Sequence, residues 1–368
     1  MQAIIDESKE IRALAHQFAA DELRPNAERW DHDANLDVAV LTQLSELGFG
    51  GMRVPEILGG MGMGLAAWAA AVEELAWGEA SVAVAVVQAA HAADVLIGAG
   101  TDAQRKEWGG GVATGDVSAC VAFAEDDAGS DLAAARTNAV SDARGWRITG
   151  EKRWVTRPSA SQLALVLANT DAGPTLFAVP TAAEGWSVTC RDETLGLRPL
   201  ELASVRLEEV RVGADAIVGH PGRALDVLRD AAGAHRVGIA AVSLGIARAA
   251  LEHARRYAAE REQFGEALRA FQGIQFKLAD MAVRTEASAA ILAAAILDPG
   301  RARSAMAKVL ASENAMWVTT QAVQIFGGYG YMRDYPVEKL MRDAKATEIL
   351  AGANDLLRTD IAEALYRE

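Results

Sequence analysis

Phe123-Ala-Glu-Asp-Asp-Ala-Gly-Ser-Asp131 and Gly150-Glu-Lys-Arg-Trp-Val-Thr156 are the two runs on which the reading of this chain turns. In the first, Gly129 lets the backbone approach a ligand with no Cβ in the way. Ser130 offers a hydroxyl and a backbone N–H to an anionic group. A capped helix start at Ser130 would account for the same residues without any ligand. In the second run the indole of Trp154 is a good stacking partner for a flat conjugated ring. Taken alone, Trp154 reads as a core residue of a strand.

Both runs lie where the chain has strand character. Between about 116 and 218, Leu163, Leu165 and Leu167 alternate with smaller residues. Val205 and Leu207 alternate with Ser204, Arg206 and Glu208, a period of two. Turn residues at Asp142 to Gly145, Asp171 to Pro174 and Glu184-Gly185 separate the segments. The pattern predicts a small antiparallel barrel or sandwich. On the N-terminal side Ile4, Ile11, Leu14 and Phe18 recur at helical spacing. A glycine-rich turn, Val54 to Gly64, precedes a second helical stretch through Trp68, Val72 and Leu75. On the C-terminal side Val237, Leu244 and Leu251 repeat every seven residues, with Ala241 and Ala247 between them. Small residues there let helices approach closely, and Asp298-Pro-Gly300 ends one helix. Four or five helices suit a bundle. The expected α+β organisation is therefore a helical domain over 1–115, a β domain over 116–221 and a helical bundle over 222–368.

A chain of 368 residues can bury a sizeable core and hold two or three domains. Its net charge of −14 argues against nucleic acid as a partner. An anionic ligand stays open, since it needs only a local cluster of arginines. Cys120 and Cys190 lie far apart without metal-ligand spacing. Both read as reduced packing residues of a cytosolic chain, and no metal site is expected. The charged stretch from Met1 to Gln17 reads as an exposed helix rather than a signal peptide. The apolar run Ala80 to Ala99 is interrupted by Gln88, His91 and Asp94, so a buried helix is expected there and no membrane span.

Three further motifs follow the first two: Arg261-Glu-Gln-Phe-Gly265 with Gln272, then Gln321-Ala-Val-Gln-Ile-Phe-Gly-Gly-Tyr-Gly-Tyr331, then Arg342-Asp-Ala-Lys345 with Glu348-Ile-Leu-Ala-Gly-Ala-Asn-Asp355. In order and spacing the set resembles the acyl-CoA dehydrogenases. That resemblance covers essentially the whole chain and implies their fold with bound FAD. It implies that Phe123, Ala124 and Ser130 lie along the flavin and the acyl-pantetheine arm. Trp154 would pack on the isoalloxazine and Thr156 would bond its N5 edge. Arg261, Phe264 and Gln272 would reach the pyrophosphate and adenine of a neighbouring subunit's FAD, with Gln324, Gly327 and Gly328 completing that contact in trans. Ala353 and Asp355 would belong to the flavin-binding tail. Arg261 suits phosphate through its charge-assisted bonds, although a helix C-terminus ending at Gly265 explains the same run. A homo-oligomer, dimer or tetramer, is implied. So are an acyl-CoA or other acyl thioester substrate and an electron-transfer flavoprotein as possible acceptor.

The departures from the family pattern concern chemistry. Most members read Ile-Tyr-Glu-Gly-Thr where this chain has Ile349-Leu350-Ala351-Gly352-Ala353. Their Glu removes the α-proton, and alanine cannot. Ala124 and Ala353 also lack hydroxyls that the resemblance leads one to expect, each worth about 0.5–1.5 kcal/mol. Arg157 replaces the usual Asn and puts a cation near the flavin and substrate. Some members carry the base just before a fixed Arg on the first bundle helix. Here that Arg is Arg236, and His235 precedes it. An imidazole of pKa about 6.5 is a usable base; a hydrogen-bonded histidine lining the cleft is the alternative. Asp230 and Asp355 are further candidates. Arg236 is expected to support the substrate cleft or to form a structural ion pair. Ser130, Arg157, Arg236, Ala351 and Gly352 are the expected substrate contacts. Three functions stay open: an acyl-thioester dehydrogenase with a displaced base, a same-fold desulfinase or monooxygenase, and a non-catalytic FAD-binding subunit.

Overall fold

The computed structural model describes residues 2–366, with side chains from residue 8 onward. Met1 and the side chain of Ile4 lie outside the described residues. The N-terminal part is helical: α1 (Gln2–Phe18), α2 (Ala27–Asp33), α3 (Val38–Glu46), α4 (Leu65–Gly78), α5 (Ala80–Ala99), α6 (Asp102–Gln104) and α7 (Gly110–Thr114). Eight strands follow: β1 (Ala119–Ala122), β2 (Asn138–Asp142), β3 (Gly145–Thr156), β4 (Leu163–Thr170), β5 (Gly173–Pro180), β6 (Trp186–Arg191), β7 (Leu202–Val212) and β8 (Ile217–Val218). The C-terminal part holds α8 (Ala224–Glu260), the short hairpin β9 (Glu262–Gln263) and β10 (Glu266–Ala267), then α9 (Gln272–Leu297), α10 (Arg301–Phe326), α11 (Pro336–Thr347) and α12 (Asn354–Leu365).

α8 is the central helix, packed by α4, α5 and α10. Its close approach to α4 depends on glycine. A Cβ at Gly245 would sit 2.3 Å from the Glu73 carbonyl, and one at Gly238 would sit 2.5 Å from the Trp68 ring. α5 is almost entirely Ala and Val and is buried around most of its circumference, as expected of a helix apolar on every face. The Glu79 side chain caps its start by accepting from the Ser81 N–H. Two helices, Ala80–Ala99 and Ala224–Glu260, are long and apolar enough to cross a membrane, and both are mostly buried within this protein.

The sheet runs β6-β7-β3-β2-β4-β5-β8, with β1 paired to β4. Most ladders are antiparallel, as expected, but β4 pairs parallel with both β1 and β2, so the sheet is mixed. The alternation along β4 divides two cores. Leu163, Leu165 and Leu167 join the cluster beneath the helices, while Ala164, Val166 and Ala168 fill the interior of the β domain. Cys120 is buried, whereas Cys190 is exposed on β6; both thiols are free.

Candidate active site

The two opening motifs meet at the end of β3. The β3–β7 register shifts between Lys152 and Val155, and this bulge places Trp154 in the left-handed region at φ 54. Trp154 is 48% exposed, so it is not the core residue its alternation suggests. Gly129 faces it: a Cβ there would lie 3.9 Å from the indole. Lys152 ties the runs together from beneath. Its fully buried Nζ donates to Glu125 Oε1 at 2.7 Å and to the Phe123 carbonyl at 3.2 Å. The Arg153 N–H donates to the Ala124 carbonyl at 2.9 Å. Burial works to raise the Glu125 carboxyl, but bonds from Lys152, Thr137 and Arg136 outweigh it and bring the pKa down to about 2. Ser130 is not a cap. The short turn Leu132–Ala134 is capped by Asp131, which accepts from the Ala133 N–H at 3.1 Å. The hydroxyls of Ser130 and buried Thr156 therefore keep no partner among the described residues. Arg157 also has φ 54, and its guanidinium forms no ion pair among the described residues. Burial lowers its pKa, with Glu201 opposing.

A second group lies at the far end of α8. That helix stops at Glu260, so Arg261 to Gly265 form a hairpin and not a helix end. Phe264 and Gly265 both have positive φ, 54 and 84, in a two-residue loop. Phe264 is 94% exposed and touches Phe271 edge-on at 6.2 Å. Arg261 lies over the Tyr329 ring at 5.5 Å. With Gln263, Gly327 and Gly328 these two residues line one open hollow. Gln272 and Gln324 are exposed nearby in sequence, and nothing lies within 4 Å of a Cβ built on Gly327 or Gly328.

The third group is the loop between α11 and α12. Ala351 and Gly352 have φ 57 and 99, and Ala353 precedes α12 without a side-chain cap. Fully buried Lys308 holds this loop. Its Nζ donates to the carbonyls of Glu348 and Gly352, both at 2.9 Å, and to Asn354 Oδ1 at 2.8 Å. Burial pushes this ammonium down; Glu348 raises it and Arg236 lowers it again, to about 7. Two expected site residues are engaged elsewhere. Arg236 binds Asp360 at 2.8 Å and the Arg301 carbonyl at 3.1 Å, so it is the structural ion pair and not a free substrate donor. Asp355 points to solvent beside Arg358 at 3.4 Å, and Asp230 is exposed, so neither stands with His235.

His235 stacks on His91 of α5, with ring centroids 4.1 Å apart and 14° between planes. His91 meets Phe123 edge-on at 6.3 Å. Burial, with His91, Arg236 and Lys308 assisting, holds His235 well below its ordinary pKa. Burial and Arg53 push His91 down to about 4. The pair thus stands between the Phe123 loop and the Lys308-held loop of Ala351. Sequence reasoning missed Glu125, Lys152, Lys308 and His91 as site supports. For Lys308 a signal existed: a lone lysine amid the small apolar residues of α10.

A half-exposed indole facing a glycine, flanked by the unpartnered hydroxyls of Ser130 and Thr156, fits one edge of a flat, polar-rimmed cofactor. An exposed arginine beside two unobstructed glycines fits its phosphate end. Comparison with known proteins accords with this. Family models described as the acyl-CoA dehydrogenase N-terminal, middle and C-terminal domains match residues 5–116, 120–210 and 223–366. The mitochondrial short-chain specific acyl-CoA dehydrogenase of Bos taurus is 36% identical over 97% of this chain and 89% of its own. A probable acyl-CoA dehydrogenase of Mycobacterium leprae is 36% identical over 98% of this chain and 96% of its own. Butyryl-CoA dehydrogenase from Megasphaera elsdenii superposes with a TM-score of 0.95 at 32% identity, covering 98% of each chain. A chain from a structure described as the electron transferring flavoprotein of Acidaminococcus fermentans gives 0.96 at 32% identity, again over 98% of each. The chain belongs to the acyl-CoA dehydrogenase family and is an oxidoreductase of that family.

Proposed function

We propose that this chain oxidises an acyl thioester at a bound FAD, with the α-proton taken by His235 and not by a side chain at position 351. When bound, the flavin supplies the acceptor for the β-hydrogen as hydride. Trp154, Gly129, Ser130 and Thr156 hold its ring end, and Arg261 with Gly327 and Gly328 serve the phosphate and adenosine end of a neighbouring copy's FAD. Exposed Phe264, in a backbone conformation costly for a bulky residue, supports burial of that hairpin against another copy. The observation that carries the reading is His235 itself. It lies on the first bundle helix, beside the loop of Ala351, with an Nε2 that has no hydrogen-bond partner. Burial and cationic neighbours keep the imidazole neutral at rest, and negative charge developing on the thioester would offset them as the proton moves to it.

Anaerobic single-turnover flavin reduction by acyl-CoAs tests this. His235→Gln should slow reduction by roughly 10²–10⁴-fold. The wild-type rate should stay flat through neutrality and fall only in acid, where His235 finally protonates. A variant with the wild-type rate and pH profile would exclude His235. A yellow protein inert to every thioester would favour a desulfinase, a monooxygenase or a non-catalytic subunit, to which the unpaired Arg157 offers a site for an anionic group. Arg261→Ala tests the shared site separately: FAD content should drop while helicity persists.

A further inference from the structure

α5 carries a polar stripe that its own fold does not use. The helix is mostly Ala and Val, yet Gln88 and His91 stand one turn apart on one face, only 8% and 5% exposed, and Asp94, one turn further on, is taken by Arg53. Gln88 Oε1 and His91 Nδ1 have no hydrogen-bond partner, and neither has Nε2 of His235, stacked on His91. Buried polar side-chain atoms in proteins are nearly always bonded. The stacked histidines beside Phe123, with Gln88 one turn before His91 on the same helix face, mark a place where an outside group completes the set.

The chemistry of that group follows from what surrounds it. The three atoms belong to an amide and two neutral imidazoles, which donate or accept single hydrogen bonds. The cations nearby already bond within the chain: Arg53 to Asp94 at 2.5 Å, Arg236 to Asp360 at 2.8 Å with its Nε left unbonded, and Lys308 to its three oxygens. A carboxylate would meet only cations already paired with Asp94 or Asp360 or held by neutral oxygens, with one spare N–H at Arg236, and would bear much of its desolvation cost. A plain alkyl chain would leave all three atoms unsatisfied. We infer that the acyl group handled here carries an uncharged oxygen substituent, a hydroxyl or keto oxygen, recognised by His91 and Gln88 on the α5 wall. This rests on the thioester reading above. His91 then acts as a specificity residue, and its stacking on His235 couples recognition to the proposed base.

The FAD-loaded protein is tested with three thioesters of equal chain length: pentanoyl-CoA, γ-hydroxypentanoyl-CoA and glutaryl-CoA. Dissociation constants of the corresponding thioethers, which cannot be oxidised, are measured alongside. The hydroxylated thioester should exceed pentanoyl-CoA in kcat/KM by roughly tenfold or more, and its thioether should bind tighter by a similar factor. His91→Leu and Gln88→Leu should each bring that ratio towards one, with the melting temperature showing that the fold is intact. Equal ratios in wild type, a ratio unchanged in both variants, or a preference for glutaryl-CoA would each overturn the inference; the first is the outcome if water alone fills the stripe. Ordered thioether binding with no flavin reduction by any thioester would sustain the recognition stripe and defeat the oxidation reading instead.

Discussion

Two fully buried lysines support the two walls of the site, and they do so differently. Lys152 meets a carboxylate, Glu125, beneath the motif that presents Trp154. Lys308 meets only neutral oxygens, two carbonyls and an amide, beneath the loop of Ala351. The first wall is pinned by a charge pair whose carboxyl stays ionised down to about pH 2. The second holds a cation with no counter-charge in direct contact, and burial has pushed it to about 7. The lysine of the β-domain wall is thus neutralised by its partner. The bundle half sets Lys308 and the Asp360-paired Arg236 beside two stacked neutral histidines. Burial first, and these cations after it, disfavour protonated His235 in the resting protein.

Breaking the neutralised pair should cost most. Lys152→Met strands the buried Glu125 carboxylate and should destabilise the protein by about 3–5 kcal/mol, read by urea unfolding, with loss of bound FAD. Next comes acid. Folded His91 titrates near 4 against 6.5 ordinarily, so between those values the unfolded chain binds protons that the folded chain refuses. Stability should fall as pH drops across that window, by up to about 3 kcal/mol from His91 alone, and His91→Leu should shrink this limb, the rest being carried by His235 and His253, which burial also holds low. Glu125 is shifted in the same direction, over a lower range. Its contribution is present above its ordinary 4.5 and is lost only as pH falls through about 2, so the two halves should fail in separate acid windows. A single acid transition unchanged by His91→Leu would break the comparison. Lys308→Met removes one donor from three buried oxygens and should cost about 2 kcal/mol. It should also raise the pH at which flavin reduction falls, since one cation near His235 is gone. The smallest effect lies at the end of β3. Arg157→Asn puts a residue tolerant of the left-handed region at φ 54 and should stabilise by about 0.5 kcal/mol.

The sequence carried the order of the three regions because hydrophobic period is local: the seven-residue repeat of Val237 and Leu244 and the alternation of Leu163 to Leu167 survive into the fold. Trp154 and Gly129 were readable from their motifs, but the bulge that exposes the indole was not, since a register shift depends on β7. Gly265 suggested a helix end, whereas tertiary context made it the second residue of a hairpin loop. Arg236 offered no hint of its partner Asp360, which lies far along the chain. Lys152 with Glu125, Lys308 with the loop after α11, and His91 with His235 all depend on long-range contact, which no local pattern encodes.

The central claim is that the base has moved from the loop after α11 to α8. The most direct measurement is the rate of single-turnover flavin reduction in His235→Gln and in the double variant His235→Gln/Ala351→Glu. Ala351 already holds a β-carbon at φ 57, so the longer side chain adds little backbone strain. The account predicts a loss of roughly 10²–10⁴-fold in the single variant and substantial recovery in the double one, with an acid limb now set by a carboxylate. An undiminished rate in His235→Gln, with the substrate still bound, would contradict it.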